Sequence, residues 1–283
     1  MLILLVGAGF TLHFVQESSL TLEEGQGLNV STDYREWELA VWVQEVRGAE
    51  IHKKVYAYDV SEISTGKVLS FKGIGLDVEV MEFHTHCDAL TKKRPSSPQN
   101  IINASGIKSL KEKKANADPA NNFPGIVMSV KRNEDDKESG TVLLYGGESG
   151  PTQFIHDKEC VFASLRRKKH PLPVVLKLID FKKTEHPGTQ MAKSYESRVL
   201  VSAPELDREV IISMNKPLRY QQFTFYQSSY SQNQQGESST LSVVRNSGRL
   251  IPYFASLVIS VGLIVHFFIM LIKFANRTRK GYV

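Results

Sequence analysis

Cysteine is almost missing from this chain of 283 residues, which holds only two, Cys87 and Cys160. So few exclude a disulfide-dense scaffold and any four-cysteine zinc module. The two could be joined as a disulfide or stand as unrelated thiols, and their spacing does not choose between these. No excess of one charge exists either: 35 Lys and Arg face 30 Asp and Glu, a formal net charge of +5. The basic runs at Lys111–Lys114 and Arg166–Lys169 lack the interleaved aromatics of a nucleic-acid surface, so they read as solvated faces and no nucleic-acid partner is expected. Nucleophile elbows, phosphate loops, dinucleotide glycine motifs and zinc-protease motifs are all missing, which argues against a conventional hydrolase or oxidoreductase.

Long apolar runs are scarce too, and the main one therefore stands out: LIPYFASLVISVGLIVHFFIMLI, from Leu250 to Ile272. A helix of about 20 apolar residues crosses the ~30 Å bilayer core. Lys273, Arg277, Arg279 and Lys280 follow at once, and short basic flanks stay on the cytoplasmic side. Residues 250–274 are thus expected to span a membrane, with 275–283 as a basic cytoplasmic tail and the chain before Leu250 outside the cell's inner compartment. MLILLVGAGFTLHFV, from Met1 to Val15, is apolar but short and has no basic lead-in. Residues 1–16 are expected to be a partial or short N-terminal membrane helix, with His13 near its outer end.

Amphipathic helical periodicity is absent from almost all of residues 17–249, whose mean hydropathy helps set the whole-chain value of −0.21. Period-two alternation takes its place, at Trp37–Val46, Lys54–Val60, Val68–Phe83 (with a turn at Gly73 and Gly75), Gly125–Arg132 and Gly140–Tyr145. It returns at Gln153–His156, Glu159–Leu165, Leu172–Phe181, Tyr195–Ser202, Arg208–Met214, Phe223–Gln227 and Thr240–Val244. The acidic stretch NEDDKES suits a hairpin turn. The expected fold is mainly β, a β-sandwich or open barrel flanked by membrane helices. Thr85–Pro124 is rich in Lys, Asn, Ser and Pro and reads as a polar linker excursion over 85–124, with one short helix near Ser109–Ala115. A weak internal echo links FKGIGLDVEVMEF to KHPLPVVLKLIDF: each is an apolar alternating strand that ends in an acidic residue and then Phe83 or Phe181.

From Leu165 onward the residues carry a resemblance. LRRKKHPLPVVLKLIDFKKTEHPGTQMAKSYESRV is followed by ISMNKPLRYQQFTFYQSSYS and then LSVVRNSGRLIPYFASLVISVGLIVHF. The most recognisable part is Asn215, Lys216, Pro217 and Leu218, then Tyr226, Gln227, Ser228, Ser229 and Tyr230. In these stretches the chain resembles the ResB/Ccs1-like family of system II cytochrome c biogenesis. The resemblance implies a membrane-anchored component that presents apocytochrome c for haem attachment on the outer side of the membrane. It also implies a polytopic haem-handling partner of the ResC/CcsA type, haem shared with that partner, and at most a non-autonomous part in a cytochrome c synthase complex. The alternative is a structural subunit of a membrane-bound respiratory or cytochrome complex that reuses the domain. By residue chemistry the signature reads first as structure: a proline that fixes a strand entry, aromatics with area to bury, and amides and hydroxyls that bond a sheet edge.

Two histidines are the candidate haem ligands, His266 and His13. An imidazole at membrane depth must pair, ligate or face protein, and histidine is the usual axial ligand. Ala255, Ile259 and Gly262 lie on the His266 helix face, which would admit a close neighbour. His84, His86 and Cys87 form a tight FHTHC cluster, but two ligands without a third do not define a metal site, and none is assigned.

Overall fold

The computed structural model describes residues 9, 15–47, 50–92, 100–130, 140–157, 159–186, 188, 192–204, 206–233, 236–246, 248 and 250–280. His13, most of the expected 1–16 membrane segment and the NEDDKES turn lie outside these residues. The described chain is mainly β with one long C-terminal helix. It divides into two units, Val30–Leu172 and Met1–Asn29 with Pro173–Val283.

The unit Val30–Leu172 holds β3 (Glu50–Asp59), β4 (Val68–Phe71), β5 (Leu76–His84), β6 (Cys87–Leu90), β7 (Ile101–Ile102), β8 (Ser109–Glu112), β9 (Gly125–Val130), β10 (Gly140–Tyr145) and β11 (Thr152–His156). It also takes most of β2 (Gly27–Arg47) and the first half of β12 (Glu159–Glu185). One sheet runs β4-β5-β9-β10-β7, while β3 pairs with β2 and β11 with β12. Their alternating apolar residues meet in one core: Leu39, Val41 and Val43 from β2, Val78 and Val80 from β5, Met128 from β9, and Val161, Ala163 and Leu165 from β12. Each such side chain taken out of water contributes roughly 1.5–3 kcal/mol before ordering costs. The turn expected at Gly73 and Gly75 joins β4 to β5, and Gly75 adopts φ +64°, which glycine tolerates without strain.

Two sequence expectations fail in this unit. The excursion 85–124 contains no helix at Ser109–Ala115; Ser109–Glu112 is β8, paired antiparallel with β6. Cys87, Ile107 and Leu110 are buried with Val127 and Leu143 on the outer face of the five-stranded sheet. Few apolar residues are needed when an existing sheet face receives them. Gly125 allows the approach, because a Cβ there would sit 2.5 Å from Cys87 Sγ and 2.8 Å from Leu110 Cδ1. The run Arg166–Lys169 is a solvated face only at Lys169, which is exposed; the other three are half-buried and partnered. Arg166 Nε donates to the buried Glu38 at 2.8 Å, and Lys168 bridges Glu36 at 2.9 Å and Asp59 at 2.8 Å. The Arg167 guanidinium lies 3.9 Å over the Trp37 ring and donates to the Ala120 carbonyl. Alternation along β2 and β3 supplies the carboxylates that make this run affordable inside a fold.

The other unit holds β1 (Val15–Glu23), the second half of β12, β13 (Ala192–Ala203), β14 (Leu206–Ser213), β15 (Leu218–Tyr220), β16 (Phe223–Asn233) and β17 (Gly236–Asn246). The strand order is β14-β13-β12-β2-β1-β17-β16-β15. A bridge between Ser213 and Lys216 brings the end of β14 to the approach of β15, so the sheet is barrel-like and nearly closed. Leu20, Leu22, Leu176, Leu178, Val199, Val201, Ile212, Leu218, Phe225, Leu241 and Val243 are buried along it. β1 lies largely in a stretch whose composition reads as polar, yet Leu20 and Leu22 alternate with Thr21 and Glu23 and are buried. β12 runs unbroken through Pro171 and Pro173. On one edge of it β11 last pairs at Ala163 and β13 first pairs at Val175, so both prolines fall in the gap between these two partner strands.

The internal echo has a structural counterpart. The register of β5 shifts between Val80 and Glu82, and that of β12 between Leu178 and Asp180. In each, an extra apolar residue (Met81 or Ile179) is followed by an acidic residue and by a phenylalanine that returns to the buried side. A bulge of this kind offsets the period-two pattern by one residue.

α1 (Ile251–Lys280) follows β17. Ile251–Phe274, 24 residues of mean hydropathy 2.6 and only 6% buried, is long and apolar enough to cross a membrane, a candidate membrane span.

Candidate functional site

The end of the barrel-like sheet furthest from α1 gathers the signature residues that point inward. β16 carries a bulge at Ser228, since Gln227 pairs with Leu241 and Ser229 with Thr240. With the bulge at Ile179, it brings Phe181, Tyr195 and Tyr230 together. The Tyr230 ring centroid lies 5.2 Å from Phe181 at an interplanar angle of 19°, and 5.0 Å from Tyr195. Lys183 Nζ stands 5.8 Å from the Tyr230 centroid. Beneath the rings is a closed polar group. Ser197 Oγ donates to Gln227 Oε1 at 2.6 Å and lies 2.7 Å from Ser239 Oγ, and Gln227 Nε2 donates to Ser239 Oγ and to the Ser229 carbonyl, each at 3.1 Å. Ser197 and Ser239 are fully buried, so each needs these partners.

The rest of the signature builds the approach. Ser213 and Lys216 exchange backbone hydrogen bonds at 3.2 and 3.1 Å, closing a tight turn through Asn215. Pro217 follows it, and Leu218 is buried opposite Phe225. Tyr226 is 40% exposed, and Ser228 and Ser229 lie on the surface with Asn215 and Lys216. The set therefore divides into an inward group that holds the sheet and an outward group free to meet a partner. An amide, two hydroxyls and stacked rings with a lysine beside them are groups suited to binding a partner. Tyr195, Ser197 and Ser239 join it without having been singled out in the sequence, and Phe181 stood out there only for the internal echo. The bulges hide their common face from a simple alternation count.

The other candidates stand apart. His266 is exposed on α1, its ring 6.2 Å from that of Phe267, and a Cβ at Gly262 would meet nothing within 4 Å. One imidazole on an exposed helix face does not by itself make a haem site. His84 and His86 do not converge. His84 Nε2 is 2.6 Å from Glu82 Oε1, whereas His86 Nδ1 accepts the Phe123 N–H at 3.1 Å. No group of three His, Cys, Asp or Glu able to hold a metal occurs among the described residues.

Both cysteines are free, Cys87 buried and Cys160 half-buried. Burial, then the charges of Asp88 and Glu82, push the Cys87 thiol up to about 12. It stays protonated at neutral pH and is a poor nucleophile. Maleimide is expected to label Cys160 in the folded protein and to spare Cys87 until denaturation; rapid labelling of both in the folded state would refute this. Because the unfolded chain loses this proton first, near its ordinary value of 9.0, the thiol's contribution to stability fades as pH climbs from there toward about 12. Cys87→Ala should flatten that alkaline loss in an unfolding titration.

Residues 137–239 match the model of the ResB-like family, and this stretch supplies β12 to β16 and the start of β17, the strands that build the site. Over these residues the chain is similar to the ResB-like family. A search of curated proteins finds no match for the chain.

Proposed function

We propose that this chain is a membrane-anchored component of system II cytochrome c maturation that presents apocytochrome c for haem attachment on the outer side of the membrane. The observation that carries the reading is the ResB-like match over 137–239, which includes the residues of the aromatic end of the barrel-like sheet. Tyr230 pairs with Ser239, whereas Arg245, near α1, pairs with Phe223. Along β17 the two levels are separated by roughly 20 Å at about 3.4 Å per residue. The aromatic end therefore projects away from the candidate span, towards soluble partners. In this reading a polytopic ResC/CcsA-type partner holds most of the haem, and His266 is this chain's candidate contribution on the face of α1. Lys273, Arg277, Arg279 and Lys280 mark the cytoplasmic exit.

The test is complementation of a strain lacking this chain, with covalent haem on c-type cytochromes as the readout. A Tyr195→Ala, Tyr230→Ala variant, present at normal level in the membrane, should lower holocytochrome roughly tenfold or more if these rings are a partner anchor. Normal holocytochrome in that variant would remove the aromatic end from the mechanism. Co-purification with respiratory subunits instead of a polytopic haem protein would overturn the assignment to maturation.

A further inference from the structure

The opposite rim of the same sheet faces α1 directly, and its residue types differ. Asn246, the last residue of β17, donates its N–H to the Gln222 carbonyl at 3.2 Å, and its Oδ1 accepts the Gly248 N–H at 2.9 Å. Ile251, the first residue of α1, donates to the Gly248 carbonyl at 3.0 Å. The turn between β15 and β16 is thereby linked, through Asn246 and Gly248, by hydrogen bonds to the first residue of the candidate span. Even fully extended, residues 247–250 could reach only about 14 Å. If α1 enters a bilayer, this rim lies within the headgroup layer or against it.

The rim is furnished for that position. Tyr220 and Phe223 belong to the inward set with Leu218, Phe225 and Val243, but they sit half-exposed at its edge. The Arg245 guanidinium stands 5.7 Å from the Phe223 centroid and is exposed, as are Arg219, Gln221 and Gln222. Tyr253 and Phe254, in the first turn of α1, are 72% and 64% exposed. Aromatic residues with a polar edge concentrate at the level of lipid headgroups. Arginine's planar fork matches a phosphate's oxygens. Glu17, opposite Val244 on β1, is an acidic neighbour at this edge and stands one pair further along than the Gln16–Arg245 pair.

We infer that the β15–β16 turn with Arg219 and Arg245 is a binding surface for anionic phospholipid headgroups, which seats the barrel-like unit on the outer leaflet. The inference rests on α1 being a membrane span, and it is independent of the apocytochrome reading. It gives the unit a fixed stance, with the aromatic end pointing away from the lipid.

The test uses the full chain carrying Cys160→Ser, so that the buried Cys87 is the only native thiol. A nitrobenzoxadiazole label is placed through Gln221→Cys at the turn, Ser231→Cys at the far end, or Leu263→Cys in mid-helix. Proteoliposomes contain phosphatidylglycerol or only phosphatidylcholine, with spin-labelled lipid as quencher. Deep quencher should darken the Leu263 label, and shallow quencher the Gln221 label but not the Ser231 label. Without phosphatidylglycerol, or in R219Q/R245Q, quenching at Gln221 should fall, by roughly fivefold in occupancy for each arginine. A quenched Leu263 label with Gln221 no darker than Ser231 overturns the inference and leaves the span intact. An unquenched Leu263 label overturns the span, and the inference goes with it. Equal quenching at Gln221 in both lipids and in both proteins overturns the arginine–phosphate contact.

Discussion

Arg166→Ala is expected to destabilise the protein by about 3 kcal/mol, the lower end of the cost of stranding one partner of a buried ion pair. Glu38 is 5% exposed, and Arg166 reaches it at 2.8 Å from β12. The same guanidinium lies 5.7 Å from the Trp42 centroid, and Trp42 stacks on Phe162 at 5.8 Å. Removing it strands a carboxylate and uncovers an indole. Lys169, whose own pKa is lowered by burial and then by Arg166, lies close enough to feel the Glu38 charge and offsets part of the loss. Arg166→Lys keeps the charge without the planar fork and should fall between wild type and alanine. Glu38→Gln combined with Arg166→Met should recover most of the stability, because no charge is then left alone. Thermal unfolding in detergent measures all four proteins. A loss below about 1 kcal/mol for Arg166→Ala would class the pair with exposed salt bridges and refute the argument.

Much of the fold can be read directly from the sequence because it rests on alternation. Leu39, Val41 and Val43, or Leu176 and Leu178, announce strands whose one face is buried, and the structure has them there. Misreadings arise where a partner element decides the outcome. Nothing local to Ser109–Glu112 says that a sheet face bearing Val127 and Leu143 will receive Leu110, so polar composition alone suggests an excursion. Likewise, Arg166–Lys169 is a basic run in one dimension and half of a charge-matched pair of strands in three. Leu20 and Leu22 are too few to mark β1 against their polar neighbours until the pairing with Leu241 and Ser239 is known.

The candidate site was legible in its residues but not in its geometry. The signature names Gln227 and Tyr230, while their partners Ser197, Phe181 and Tyr195 come from strands far away in sequence. Bulges at Ile179 and Ser228 put these partners on one face, and an alternation count carried through either bulge assigns the following residues to the wrong side. The repeated pattern of an apolar residue, an acid and then Phe, at Met81–Phe83 and Ile179–Phe181, is the local sign that such an offset occurs.

The adjacent residues Phe225 and Tyr226 separate the structural role of the signature from its role towards partners. Phe225 is fully buried, paired with Leu218 on one side and Val243 on the other. Phe225→Ala leaves a cavity between strands that cannot easily close, and a loss of about 3–5 kcal/mol is expected. Such a loss should empty the membrane of folded protein and take holocytochrome with it. Tyr226 points the other way and is 40% exposed, so Tyr226→Ala should shift the unfolding midpoint little, by less than about 1 kcal/mol. A drop in holocytochrome in the Tyr226 variant at normal protein level would therefore report a lost contact with a partner. If Phe225→Ala is tolerated, the inward face is not the core of this unit. If both variants fail to accumulate, the outward face is packed against something this fold alone does not supply, and the division of the signature into two faces falls.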